Sequence, residues 1–208
     1  MKPFHLRTAA LLLSLIVFFA GCRSLSPPLR YYTLNAIPDA SDVAAPVEAA
    51  AGAVTIGLMP LRLPGYINRT QMVMRDGNNR ITFSVLDRWA DYPDRLISQI
   101  LGENLQALLP RARVVTAPWP VGVTPDLRLT VQIFELIGTD DRQVIFNADW
   151  TVARGSSPGD ATFYRAAFAE PLSGSGFDGL AAAYSRVLER FCRDVVAALS
   201  TTAMVHGR

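Results

Sequence analysis

In the second half of the chain, apolar and polar residues alternate. Leu127, Leu129, Val131 and Ile133 are interleaved with Arg128, Thr130 and Gln132, and Val144, Phe146, Ala148, Trp150 and Val152 repeat the same period. Successive side chains of a strand point to opposite faces, so both stretches read as strands buried on one side. Residues 160–170 supply a third, more weakly patterned. Between Pro93 and Leu109 the period becomes helical, with Ile97, Leu101, Leu105 and Leu108 on one face, Gly102 weakening the run and Pro110 closing it. Steps of three and four return in Phe177, Ala181, Tyr184, Leu188, Phe191, Val195 and Leu199, a sustained apolar stripe bordered by Cys192.

The first half is more broken. Tyr31-Tyr32-Thr33-Leu34 reads as a strand, residues 37–52 as an Ala-, Pro- and Asp-rich surface loop, and Val54-Thr55-Ile56-Gly57-Leu58 as a second strand ended by Pro60 and Pro64-Gly65. Residues 71–75 and 81–86 flank Asp76-Gly77-Asn78-Asn79, whose Asp-Gly step tolerates the positive φ of a hairpin turn. Residues 113–116 form a candidate short strand, and residues 118–125 a proline-rich turn. Strands, helix, strands, helix is the layout of an α+β fold: a largely antiparallel sheet with two amphipathic helices packed on one face. The pattern leaves the other face open, either to solvent or to a partner.

Ahead of all this stands a segment of a different kind. Lys2 and Arg7 precede a 12-residue run, Ala9 to Ala20, broken only by Ser14 and followed by Gly21. A bilayer-spanning helix needs about 20 apolar residues, so the run reads as a removable export signal rather than a permanent span. Phe19-Ala20-Gly21-Cys22 resembles the bacterial lipobox, with Phe19 where Leu is usual. That resemblance implies cleavage between Gly21 and Cys22, diacylglycerol on the Cys22 sulfur and acylation of its freed amino group. Two or more acyl chains anchor a protein stably. Arg23, rather than Asp, follows the cysteine and favours the outer membrane over the inner. The expected organisation is a signal at 1–21, a lipidated tether at 22–30, one periplasmic domain at 31–200 and a tail at 201–208.

Charge and chemistry narrow the function by exclusion. The formal charge of +2 comes entirely from Lys2 and Arg7, leaving the remainder neutral and without a basic run, so nucleic acid is not an expected partner. His5 falls in the signal and His206 three residues from the C-terminus, which disfavours a Ser-His-Asp triad, a Cys-His nucleophile and a zinc site. Asp140-Asp141 and the Asp91/Asp94 pair sit in an apparent turn and at a helix start, where carboxylates serve solvation, capping and the helix dipole. Gly174-Ser175-Gly176-Phe177-Asp178-Gly179 spells a dinucleotide fingerprint, but no strand follows its helix; a loop capped by Asp178 explains it better. Asn68-Arg69-Thr70 is a glycosylation sequon by spelling only. Cys192 reads as a small buried apolar residue. No catalytic residue, metal or cofactor is expected.

Three groups of residues carry a family resemblance. They are Tyr31-Tyr32-Thr33-Leu34; Ile56-Gly57-Leu58-Met59-Pro60 running into Leu63-Pro64-Gly65-Tyr66-Ile67-Asn68-Arg69 and Gln71-Met72-Val73; and Asp87-Arg88-Trp89-Ala90. Together the chain resembles the ABC-type transport auxiliary lipoproteins, similar to the C component of the paraquat-inducible system. The resemblance implies a part in lipid transport between inner and outer membranes, as partner of a mammalian-cell-entry (MCE) domain protein, with a permease and ATPase acting indirectly. The domain is expected to act as a homo-oligomer. Leu63, Tyr66, Arg69, Arg88 and Trp89 are the candidate contact residues, because turns and half-exposed aromatics at strand ends are where a rigid scaffold presents binding groups. Folding is the competing role for each of them. Two other functions stay open: a carrier holding lipid in its own apolar cavity, and a hydrolase using carboxylates.

Overall fold

The strand that begins at Leu127 carries on to Thr139, past the point where the alternation ends, and it organises the molecule. The computed structural model describes residues 27–38, 54–77, 79–155 and 161–205. The expected signal, Gly21 and Cys22, most of the 37–52 loop, Asn78 and His206 lie outside these. In chain order the elements are β1 (Arg30–Tyr32), β2 (Thr55–Leu58), β3 (Gln71–Asp76), β4 (Arg80–Trp89), α1 (Pro93–Leu108), β5 (Arg113–Thr116), β6 (Leu127–Thr139), β7 (Gln143–Arg154), β8 (Ala161–Pro171) and α2 (Gly176–Val205). Regular structure thus begins within the expected tether and runs five residues into the expected tail. Asp178 lies in the first turn of α2 rather than before it.

Eight strands form one sheet. Along one edge β6 pairs with β7 from Leu127↔Arg154 to Gly138↔Val144, and β7 pairs with β8 over its length, both antiparallel. The other edge of β6 is divided. Its first residues pair with β2 and its last, Gly138 and Thr139, with β3, both parallel. Beyond β2 lies β5, and beyond β3 lie β4 and β1. The class is α+β, but the sheet is mixed rather than largely antiparallel: β1–β4, β2–β5, β2–β6 and β3–β6 are parallel. Alternation within a strand says which face is buried. It carries nothing about the direction of a neighbour supplied from far along the chain.

Between Ile133 and Glu135 the β6–β7 register shifts by one residue, leaving Phe134 in a bulge. Such an insertion exchanges the faces of the residues beyond it. Leu129, Val131 and Ile133 face the helices before the bulge, and Leu136 does so after it. There Leu96, Ile97, Ile100, Leu101 and Leu105 of α1 and Leu180, Tyr184, Val187, Leu188, Phe191 and Val195 of α2 join Phe146, Ala148 and Trp150 of β7 in one cluster. Its centre is aromatic: Phe191 lies 5.3 Å from Phe146 and 6.0 Å from Trp150, and Trp150 stacks on Tyr164 at 4.2 Å. Cys192 is fully buried in this layer and burial pushes its thiol up, so it remains protonated. At Gly57 a Cβ would lie 2.6 Å from Pro125 and 2.7 Å from Trp119, which is why β2 carries glycine at that crossing.

Candidate interaction surface

The segment between β2 and β3 contains most of the candidate contact residues, and it is fastened along its length. The Met59 amide bonds the Leu129 carbonyl (2.8 Å), the Arg62 amide bonds Val131 (3.3 Å), and the Arg62 carbonyl accepts the Ile133 amide (2.9 Å). Leu63-Pro64-Gly65 then turns the chain away, with the amides of Ile67 and Asn68 both reaching the Pro64 carbonyl at 3.0 and 3.1 Å. Asn68 Oδ1 accepts the Asp94 amide at 3.2 Å. Helix α1 has no side-chain cap at Tyr92, so Asn68 satisfies from outside a donor that a local Ser or Asp usually takes. Ile67 is buried. The turn is pinned to β6 on one side and to α1 on the other.

β6 has no strand partner between its two neighbours on this edge, and the buried Tyr184 hydroxyl donates there to the Leu136 carbonyl at 2.8 Å. That bond spares the strand an unsatisfied acceptor. Burial pushes the Tyr184 phenol up, so it keeps the proton it donates.

Beside the turn, β1 and β4 meet at a polar hub. Asp87 is buried, and Arg30 donates to both its oxygens at 2.7 and 3.0 Å, Tyr32 Oη at 2.9 Å and Ser84 Oγ at 2.7 Å. The Arg30 guanidinium holds the Asp87 carboxyl below the usual carboxylate value against the opposing effect of burial, and Ser84 and Tyr32 add to it. Tyr32 is shifted up, by burial and by donating to Asp87. Two separate stretches of the family pattern, Tyr31-Tyr32 and Asp87-Arg88-Trp89, are therefore partners in one parallel ladder.

The five candidate contact residues do not share one environment. Trp89 is 5% exposed and packs 5.2 Å from Tyr184, so it serves the core rather than the surface. Leu63 also packs against the core. Tyr66 is half-buried and shifted up, first by burial and then by nearby Glu135. Glu135 is itself paired with Arg75 and accepts from Asn147 Nδ2 at 2.7 Å. Arg69 is exposed with its guanidinium 4.7 Å from the centre of the Phe83 ring. Arg88 pairs with Gln71 on one side and Tyr31 on the other. Arg69 and Arg88 thus share the face turned away from the helices. Asp87, Asn68 and Tyr184 support this region without having been marked for it by spacing; the alternation of Tyr31 with Tyr32 is the one signal that separates an outward from an inward residue.

The carboxylate clusters have structural work. Asp91 pairs with Arg95, Asp94 lies in the first turn of α1, and Asp140 accepts the Gly77 amide at 3.0 Å, joining two hairpin turns. Among the described residues no three His, Cys, Asp or Glu are placed to hold a metal, and no helix is long and apolar enough to cross a membrane. Inside the core, Leu34, Trp89, Leu136 and Tyr184 surround a void of about 10 Å³, room for one water and not for an acyl chain. A groove of about 830 Å³ between α1, Pro60-Leu61 and β5 is open to solvent and edged by Asp94, Arg95 and Glu103.

Residues 32–196 match the family model of the ABC-type transport auxiliary lipoprotein component. The chain belongs to that family. Two solved structures share the fold of this auxiliary lipoprotein. An uncharacterised protein superposes with a TM-score of 0.68 at 16% identity, over 83% of this chain and 99% of its own. A protein from Xanthomonas campestris gives 0.64 at 12% identity, over 86% and 97%. No curated protein matches the sequence.

Proposed function

We propose that the protein is a lipid-anchored component of an intermembrane lipid transport system of the MCE and ABC type, held by Cys22 to the periplasmic face of the outer membrane. It acts by binding its partner, not by catalysis. The observation that carries this reading is the turn of residues 63–69, fixed to β6 and to α1 and presenting Arg69, exposed, beside Phe83. A preorganised surface loses little entropy on docking. Arginine over an aromatic ring is also the kind of group that dominates interfaces. The family supplies the transport context, and a homo-oligomer built on the same face is part of the proposal. A lipid carrier has less support, since among the described residues the void beside Leu34, Trp89, Leu136 and Tyr184 is the size of one water.

The test is association of a soluble form beginning at Arg23 with a purified MCE-domain protein, in detergent and in lipid. Arg69→Ala with Arg88→Ala is expected to weaken binding by tenfold or more, about 1.4 kcal/mol, while leaving the urea midpoint in place. Absence of binding by the unmodified pair at micromolar concentration sinks the proposal. Stoichiometric lipid in mass spectra of the purified domain would favour the carrier.

A further inference from the structure

Most exposed apolar side chains on the described surface stand singly: Phe163 on β8, Val121 in the proline-rich turn, Phe134 in the β6 bulge and Tyr92 at the start of α1. One corner differs. Leu29, Tyr31 and Val85 are 44%, 63% and 78% exposed, and they belong to two adjacent strands: Leu29 just before β1, Tyr31 within it, and Val85 in β4, two residues before the Asp87–Trp89 stretch that β1 pairs with. Arg30, whose side chain is 61% exposed, stands between the first two.

The projection of Val85 is built. Gln71 pairs with Arg88 and Val73 with Phe83, so two steps along β3 oppose five along β4, and the surplus is thrown outward. Ser84 Oγ closes the bend by accepting the amides of Leu86 (3.3 Å) and Asp87 (2.9 Å) while donating to the Asp87 carboxylate. An apolar residue held into solvent by its own set of hydrogen bonds, on a fold with a filled core, is placed for a surface it will meet.

The identity of that surface follows from where the described chain starts. Leu29 is the seventh residue after Cys22, at most about 25 Å of extended chain away. With Cys22 acylated, this corner can never be further than that from the lipid, and its local concentration at the membrane is correspondingly high. The chemistry agrees: aliphatic side chains for the acyl boundary, a tyrosine suited to the headgroup level, and an arginine whose Nε and Nη2 bond Asp87 while its side chain stays 61% exposed to lipid phosphates. The geometry points to a membrane-docking corner, Leu29, Tyr31 and Val85 with Arg30, that seats the domain on the lipid surface to which its anchor is attached. This rests on the acylation of Cys22. It also gives the proposed partner surface a position, because Tyr31 pairs directly with Arg88 and the partner would therefore meet the domain beside the membrane.

Full-length acylated protein in vesicles of phosphatidylethanolamine and phosphatidylglycerol tests the inference. Cysteine is introduced for a nitroxide label at Tyr31, Val85 or, as control, Phe163; Cys192 is buried and does not compete for the label. Labels at 31 and 85 are expected to show a several-fold higher ratio of collision with oxygen to collision with an aqueous nickel chelate than the label at 163. Equal ratios at all three positions overturn the docking corner. Labels at 31 and 85 shielded from both probes, in vesicles and in micelles alike, also overturn it, since protein then covers the corner. Mass spectrometry of the same sample separates the two levels: an unacylated Cys22 removes the anchor and the corner together, whereas an acylated Cys22 with an aqueous label at 31 removes the corner alone.

Discussion

The two edges of β6 show two ways of holding a strand. Toward β7 and β8, long antiparallel ladders follow one another through short connections and lie under an aromatic layer of Phe146, Trp150, Tyr164 and Phe191. Toward β2 and β3, strands of three to ten residues arrive from distant parts of the chain, pair partly in parallel, and are secured by single polar fastenings at Asp87, Asn68 and Tyr184. The first edge rests on buried area, which is collective and insensitive to pH. The second shares that core through Ile56, Leu58, Met72 and Trp89 and adds individual bonds, each of which a point substitution removes. Both halves thus share one core, and the presentation of Arg69, Arg88 and the β1 corner belongs to the second.

Breaking the comparison begins in the aromatic layer. Trp150→Ala is expected to cost about 3–5 kcal/mol, read from urea denaturation. A loss below about 1 kcal/mol would show that the long half is not the foundation. Asp87→Asn is expected to cost less, about 1–3 kcal/mol, by weakening the bonds from Arg30 and Tyr32. It also has a pH signature. Because the Asp87 carboxyl is held below its ordinary value of 3.8, its stabilisation is present in full above that value and is lost as the pH falls below it through the folded-state value. The difference between wild type and Asp87→Asn should therefore shrink in acid; a constant difference down to the lowest pH at which the protein folds would separate Asp87 from the charge that the hub supplies. Smallest of all is Phe163→Ser, 78% exposed at the outer edge of the long half, which is expected to stay within about 0.5 kcal/mol in the same melts.

The same division explains what the sequence disclosed. Both helices and the strands at 127–133 and 144–152 were legible because periodicity reports burial, and the β3–β4 hairpin because its Asp-Gly step suits a tight turn. Their outer ends were not: β6 continues past Ile133 through a bulge that exchanges its faces, so a strict alternation stops there although the strand does not. Parallel pairing was illegible for a different reason, since Tyr31 and Arg88 meet only after the intervening chain has folded. Trp89 carries both kinds of signal, an aromatic beside arginine and the end of a strand, and only the position of Tyr184 shows that it faces inward. Arg69 was singled out as a candidate by its place after a Pro-Gly turn. Asp87 was visible in the family pattern, yet its function as a hub depends on Arg30, which no local spacing links to it.

The Arg30–Asp87 pair has a mechanical meaning. In the proposed anchoring, any pull from the membrane enters the domain at β1, whose ladder to β4 is only three residues long, so the ion pair shares that load. While it holds, about 25 Å of chain lies between lipid and domain. In that anchoring the Arg30–Asp87 pair is the first polar fastening to take the load, ahead of Leu34 in the core and of the Asn35 and Ile37 amides, which bond Ser185 Oγ at 3.0 Å and Asn104 Oδ1 at 2.8 Å.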